Sequence, residues 1–217
     1  SGWDGTKFAS SKTIYSGKKG FAGFNGIAFG PDGRLYAGLS LAGDKYDHKN
    51  NPNPLSQGVV SMTASGKDLK LVAKGLRQPF QLVFQKGAKY PYVSDLAQDG
   101  TKQIPLDQIV QAKPGQDYGF ATCVRLTTTS CATYDRPAVL LPKHSSPMGI
   151  GAIGRTLYVS LFAGLDGKHP IIATVPTTGG TPKPFLTGFV APVIGLGIHA
   201  GTVYVGDLTG TIYKVAA

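Results

Sequence analysis

Short runs in which apolar and polar positions alternate recur along the chain, and glycine, proline and aspartate separate them. A period of two predicts β-strands, and the intervening turn residues predict hairpins. Self-similar units with several strands each are typical of a β-propeller, in which blades surround a central channel. We therefore predict an all-β propeller. One strand pair recurs four times, at 26–29 with 35–38, 80–84 with 92–95, 148–151 with 157–160 and 194–197 with 203–207.

Each repeat is predicted to supply four strands that run from the channel outward. Turn sequences separate these strands, such as Pro31-Asp32-Gly33 in the first repeat. The predicted strands are about 26–29, 34–39, 58–63 and 69–73; 80–84, 90–95, 106–111 and 138–141; 148–152, 156–161, 171–175 and 184–187; and 193–198, 202–206 and 211–215.

The fourth repeat lacks its outer strand, and the N-terminal segment has the pattern to supply it. Thr13-Ile14-Tyr15-Ser16 alternates like an outer strand. A strand at about 12–17 that pairs with the last blade would leave no open edge, and natural sheets avoid open edges. We predict one domain, 1–217, with four blades of four antiparallel strands. The alternative is that these four blades are part of a larger propeller.

Composition narrows the range of partners. All twelve acidic residues are aspartate, and glutamate is absent, which suits a chain rich in turns and poor in helices. The net charge of +10 comes mostly from scattered lysines, which either attract an anionic ligand or keep the protein soluble. Basic residues interleaved with stacking aromatics are lacking, so nucleic acid is not a predicted partner. No apolar run is long enough to span a bilayer.

Cys123 and Cys131 form a close pair in a threonine-rich stretch. Their spacing is not that of a C-x-x-C motif, and no histidine is nearby in sequence to complete a metal site. An intraloop disulfide is the simplest interpretation. It predicts an oxidising location, secreted or periplasmic.

Several motifs resemble, in collinear order over nearly the whole chain, those of the soluble glucose and sorbosone dehydrogenases. The strongest are Gly-Leu-Arg-Gln-Pro-Phe at 75–80, Tyr-Val-Ser-Asp at 92–95, and Pro-Gly-Gln-Asp-Tyr-Gly-Phe at 114–120. Further matches are at 22–36, 107–109, 144–149, 184–189 and 207–215.

The resemblance implies a six-bladed propeller that binds pyrroloquinoline quinone, often with calcium, and oxidises sugars at the channel mouth. It implies Arg77 as the arginine that holds the quinone, with Gln78 where asparagine is usual. The catalytic histidine would fall at or near Asn25. Asparagine cannot act as a general base near neutral pH, so Asn25 is predicted to contact the cofactor instead. Leu96 and Ala97 stand where a calcium-contacting stretch is expected, and the chain has about two blades fewer.

Propeller topology sorts the polar side chains without the resemblance, because the loops before each inner strand and after each second strand share one face. Arg77 is the only arginine predicted on that face, and it suits recognition of a carboxylate. Its alternative role is to bond carbonyls between blades. His144 is the best remaining proton acceptor there, unless it only fixes its loop. Asp95, Tyr46 and Lys168 are predicted to contact substrate.

The longest loop on that face, 43–57, is rich in aspartate and asparagine. Asp44 and Asp47 could supply oxygen ligands to calcium, although the spacing of an EF-hand is absent. A hydrogen-bonded polar loop is the alternative. A Ser–His–Asp set could be drawn from Ser146, His144 and Asp95, but their spacing does not demand one.

We therefore predict a propeller that binds a sugar or a small anionic ligand, and that uses a quinone to oxidise a sugar. The alternative is a binding module for carbohydrate or another partner that has lost this chemistry. A lactonase of related fold is weakened because such enzymes commonly hold calcium with glutamate, which this chain lacks.

Overall fold

The computed structural model describes residues 2, 4–17, 23–40, 53–98 and 103–216, and it shows β-strands but no helix in these ranges. The strands are β1 (Phe24–Phe29), β2 (Leu35–Leu39), β3 (Gly58–Met62), β4 (Lys70–Lys74), β5 (Pro79–Val83), β6 (Tyr92–Asp95), β7 (Leu106–Gln111), β8 (Gln116–Asp117), β9 (Val139–Lys143), β10 (Pro147–Ile153), β11 (Thr156–Leu161), β12 (Ile171–Pro176), β13 (Lys183–Leu186), β14 (Val193–His199), β15 (Thr202–Asp207) and β16 (Ile212–Ala216).

Four sheets form, one from each repeat, and the predicted β-propeller is confirmed. Blade 1 has the order β1-β2-β3-β4, and the two-residue strand β8 joins β4 in parallel. Blade 2 is β5-β6-β7-β9, blade 3 is β10-β11-β12-β13, and blade 4 is β14-β15-β16. Apart from β8, neighbouring strands are antiparallel, as short hairpin connections require.

The inner strand of every blade carries the same irregularity near its start. The register shifts between Phe24 and Ile27 in β1, and at the matching place in β5, β10 and β14. Such a bulge bends the strand and turns its first residues away from the ladder. In every blade the start of the inner strand, with the loop before it, lies at the same end of the sheet, and we call this end the mouth.

Apolar side chains fill the spaces between successive blades. Leu82 packs with Tyr36 between blades 1 and 2, and Ile150 packs with Ile109 between blades 2 and 3. Leu196 packs with Tyr158 between blades 3 and 4. Because blades pack face to face, the hydrophobic effect stabilises both each sheet and its position beside the next.

The strand predicted at about 12–17 does not form. Residues 11–17 take part in no strand, and blade 4 has three strands among the described residues. The segment lies on blade 1 instead, because the ring of Tyr15 packs edge-on against Phe24, with centroids 5.5 Å apart. The carbonyl of Ile14 lies against Gly66, where no side chain intervenes.

The two cysteines are bonded as predicted, with their Cα atoms 5.8 Å apart. None of the described residues belongs to a helix long and apolar enough to cross a membrane.

Candidate functional site

Arg77 lies at the mouth, in the tight connection from β4 to β5. Gly75 begins this connection with a φ of +74°, and a Cβ there would lie 2.4 Å from the Asp117 carboxylate, so glycine is required. Nη1 of Arg77 donates to Oε1 of Gln78 at 2.9 Å and to the carbonyl of Ala97 at 3.4 Å. The guanidinium is thus braced between blade 2 loops while remaining partly exposed.

Asp95 supports this turn from below. It ends β6 and is 2% exposed. Its Oδ1 accepts the backbone N–H of Gln78 at 2.8 Å, and its Oδ2 accepts the side-chain N–H of Gln108 at 2.8 Å. The structure therefore places Asp95 beneath the Arg77–Gln78 turn, where it holds the backbone that presents Arg77.

Burial raises the pKa of Asp95 to about 7, and the hydrogen bonds from Gln108 and Gln78 oppose that rise. Oε1 of Gln108 is buried and has no hydrogen-bond partner in the described part of the chain. An amide reversal would bring this oxygen towards Asp95, where a protonated carboxyl could donate to it. The pair therefore offers one hydrogen-bond arrangement for each protonation state of Asp95.

This pairing predicts a pH dependence of stability. The pKa of Asp95 is higher in the folded protein than its ordinary value of 3.8, so the folded state binds the proton more tightly. Its contribution is fully present below about pH 4 and is lost as the pH rises through about 7. We expect the free energy of unfolding of wild type, relative to Asp95→Asn, to fall between pH 4 and 7. Urea titrations of both proteins across that range measure it, and parallel curves would contradict the assignment.

A second buried carboxylate, Asp107, joins the mouth loops of two blades. It is 2% exposed, and its two oxygens accept the backbone N–H groups of Ala97 and Ser146, each at 2.8 Å. Sequence reasoning did not single it out, although an aspartate beside the apolar run of β7 is unusual unless it is hydrogen-bonded. Asp107 therefore holds together two loops. One contains Ala97, which Arg77 contacts, and the other contains Ser146 and His144.

Asn25 joins blades 1 and 2 at the mouth. Its side-chain N–H groups donate to the carbonyl of Pro79, at 2.8 Å, and to the hydroxyl of Ser40. Gly38 approaches the same carbonyl, since a Cβ on it would lie 2.2 Å from that oxygen. Asn25 thus holds together the blades at the position where the resemblance places a catalytic histidine.

His144 is exposed at the mouth, in the connection from β9 to β10, with a φ of +60°. Ser145 beside it is buried and donates to the carbonyl of Pro142 at 2.8 Å. The carboxylate of Asp95 bonds Gln78 and Gln108, so it does not serve His144 as the acid of a Ser–His–Asp set. His144 therefore does not form a Ser–His–Asp set with Asp95.

Lys168 is exposed in the loop after β11. Its backbone N–H and that of His169 donate to Oδ1 of Asp166, each at 3.0 Å, while Nδ1 of His169 pairs with Oδ2. The bond from the His169 side chain, followed by these backbone bonds, lowers the pKa of Asp166. A largely apolar cavity of about 450 Å³ lies between this loop and the end of β13.

A more polar cavity of about 340 Å³ lies beside the Gly75 turn. An ion pair between Lys74 and Asp117, 3.2 Å apart, borders it. The aromatic rings of Phe120 and Tyr134 also contribute to its wall. Polar groups next to aromatic faces suit a small polar ligand. Sequence reasoning missed this cavity, because 53–57, 74–75 and 117–134 come together only in the fold.

The described residues contain no cluster of side chains that marks a metal site. None of their histidine, cysteine or aspartate side chains cluster in groups of three that could hold a metal ion. The carboxylates of Asp95 and Asp107 accept N–H donors instead. Asp44, Asp47 and Tyr46, which the sequence suggested for metal or substrate, lie outside the described residues.

No protein-family model matches the chain, and no curated protein matches it. Solved structures do match. A glucose dehydrogenase-type oxidoreductase from Thermus thermophilus gives a TM-score of 0.68 over 88% of this chain and 64% of its own, at 19% identity. The calcium structure of a Trichoderma reesei carbohydrate-active enzyme of family AA12 gives 0.64 over 87% and 66%, at 14% identity. This chain has the fold of these proteins.

The extent of the match matters as much as its quality. The chain spans less than two thirds of the glucose dehydrogenase structures that it resembles. The computationally designed Ika4 protein is matched over 99% of its length and 95% of this chain, with a TM-score of 0.53 at 12% identity. These comparisons therefore show only that this chain shares the propeller fold. Its chemistry has to be inferred from the residues at its own mouth.

Proposed function

We propose that this is a sugar-dehydrogenase-like propeller whose mouth binds a small polar ligand through Arg77. The observation that carries this proposal is the braced guanidinium, which is held by Gln78 and Ala97 on a turn that the buried Asp95 supports. A guanidinium held in one orientation suits a carboxylate, since both groups are planar and pair through two N–H donors. Sugar acids and the carboxylated pyrroloquinoline quinone are ligands of this class.

Arg77 and Gln78 are the residues that would hold the quinone. When bound, such a cofactor supplies a two-electron acceptor for oxidation of a sugar hydroxyl. His144 would accept the hydroxyl proton, because it is exposed at the mouth while Asn25 is engaged between blades. Lys168 is exposed in a neighbouring mouth loop and would add positive charge near an anionic substrate.

A second candidate is carbohydrate binding without chemistry. The polar cavity beside Gly75 favours it, because the ring of Tyr134 lies next to hydrogen-bonding groups of Lys74 and Asp117. Sugars bind through this combination of an apolar ring face and polar side chains. This candidate needs neither a cofactor nor His144.

The disulfide supports a secreted or periplasmic location for either function. In reducing compartments such cysteine pairs remain as free thiols.

Turnover separates the two candidates. We expect dye reduction that requires both the quinone and an aldose, and we expect His144→Gln to lower its rate about 100-fold, the usual loss on removal of a general base. His199→Gln is the matched control, since His199 is exposed at the opposite end of blade 4. Equal rates in both variants would contradict the role of His144.

Sugar binding without dye reduction would instead favour the carbohydrate-binding candidate. In that case binding should fall in Tyr134→Ala and persist in Arg77→Ala. Absence of binding with either ligand would overturn both.

A further inference from the structure

The inner strands carry equivalent residues that show how each blade packs on the one before it. One apolar residue per blade holds the same register, opposite Ala37, Val93, Val159 and Val205 on the second strands. In blades 2, 3 and 4 this residue is buried against the preceding blade, with exposed fractions of 3% for Leu82, 1% for Ile150 and 5% for Leu196. In blade 1 it is Ile27, which is 61% exposed, and Phe29 beside it is 62% exposed.

Between blades 3 and 4, glycines receive these side chains on the other side of the contact. A Cβ on Gly149 of blade 3 would lie 2.7 Å from the Cβ of Leu196, and one on Gly151 would lie 2.6 Å from Ile198. Blade 4 repeats this spacing with Gly195 and Gly197. Among the described residues, a Cβ on Gly197 would meet no atom within 4 Å, and one on Gly195 would meet only its own partner strand.

The two ends of the described propeller thus resemble the two halves of the contact between blades 3 and 4. We call the surface around Ile27 and Phe29 the blade 1 end face, and the surface around Gly195 and Gly197 the blade 4 end face. Ile212 adds to the second, since it is 74% exposed on β16. Blades 3 and 4 already pack in this way. Apolar side chains project from blade 4, and the glycines of blade 3 leave space for them.

We propose that the blade 4 end face docks the blade 1 end face of a second copy of this chain. The occupant follows from the repeat, because Ile27 and Phe29 have the register and type of the side chains that glycines receive between blades 3 and 4. Two identical head-to-tail contacts would close a symmetric ring of eight blades, which lies within the range of four to eight that propellers adopt.

The N-terminal segment fits the same arrangement. Residues 13–16 lie on blade 1, through Tyr15 on Phe24 and Ile14 on Gly66. A docked blade 4 would bring the outer edge of β16 towards this segment. The outer strand that blade 4 lacks would then come from the partner copy, which covers an exposed sheet edge.

The mass in solution tests the proposal. We expect wild type to sediment as a dimer at micromolar concentrations, and we expect Ile27→Lys and Gly197→Leu each to sediment as monomers. Gly197→Leu is a suitable probe because the space around Gly197 is open in the single chain, so the fold can accept it. Val190→Lys, at a fully exposed apolar residue in the loop before blade 4, is the control that should remain dimeric.

Mixing the two variants decides the direction of docking. Each homodimer loses both contacts, but a mixed dimer keeps one, between the intact blade 4 end face of Ile27→Lys and the intact blade 1 end face of Gly197→Leu. Dimers should therefore reappear in the mixture. A wild type that is monomeric at all concentrations, as in closure of one chain on itself, would overturn the proposal. A dimer that survives Gly197→Leu would also overturn it.

Discussion

Gly38→Ala is expected to lower the free energy of unfolding by about 3 kcal/mol, at the upper end of the range for an overpacked core. The added Cβ would lie 2.2 Å from the carbonyl oxygen of Pro79 and 3.0 Å from its carbon. That carbonyl cannot easily turn away, because it accepts the amide N–H of Asn25 and begins the inner strand of blade 2. The substitution therefore separates blades 1 and 2 at the mouth.

Gly197→Ala is the matched control for this prediction. Gly197 is also in a strand, yet a Cβ on it meets no atom of the described residues within 4 Å, so its replacement should change stability by less than about 1 kcal/mol. Urea titration of both variants at concentrations that keep the chain monomeric gives the comparison. Equal losses of stability in the two variants would contradict the prediction. They would show that the contact between Gly38 and Pro79 does not set the distance between blades 1 and 2.

Arg77→Ala is expected to weaken binding of a carboxylated ligand about 10- to 100-fold, since hydrogen bonds to a charged group are worth about 1.5–3 kcal/mol. Arg77→Lys should recover only part of this loss, because an ammonium keeps the charge but not the planar pair of donors. Stability should change little in either variant, since the guanidinium is partly exposed.

The strand pattern was predictable because each element is specified locally. In β2, for example, Pro31-Asp32-Gly33 sets the turn and the alternation that follows sets the strand, which forms at Leu35–Leu39. The bulge in each inner strand was not predictable in this way. In β1, Gly26 lies within it, but a glycine inside a strand can mark either a bulge or the close approach of another backbone, and Gly26 also lies against the backbone of Gln81.

The N-terminal segment was predicted to pair with blade 4, but it lies on blade 1, for a related reason. Alternation in Thr13–Ser16 says that the segment can extend, but not which edge it will meet. Contacts far along the chain, from Tyr15 to Phe24 and from Ile14 to Gly66, place it on blade 1. The sequence also could not predict the exposed faces at the two ends of the propeller. Ile27 is apolar and occupies the same strand position as Leu82, yet only Leu82 is buried.

At the mouth, loop topology was enough to place Arg77 and His144 on one face. It could not distinguish a carboxylate that meets ligand from one that supports the loops. Asp95 ends a strand in both cases, and only the bonds to Gln78 and Gln108 reveal its supporting role. Asp107 acts through the backbone of Ala97 and Ser146, so side-chain patterns along the sequence carry no signal for its partners.

Calorimetric titration of pyrroloquinoline quinone into wild type, Arg77→Ala and Arg155→Ala tests the central claim most directly. Arg155 is exposed in the turn between β10 and β11, at the end of blade 3 opposite the mouth, so its loss controls for the removal of one positive charge. We expect saturable binding to wild type and Arg155→Ala, and binding at least 10-fold weaker to Arg77→Ala. Equal affinity in all three proteins, or no heat of binding in wild type, would contradict it.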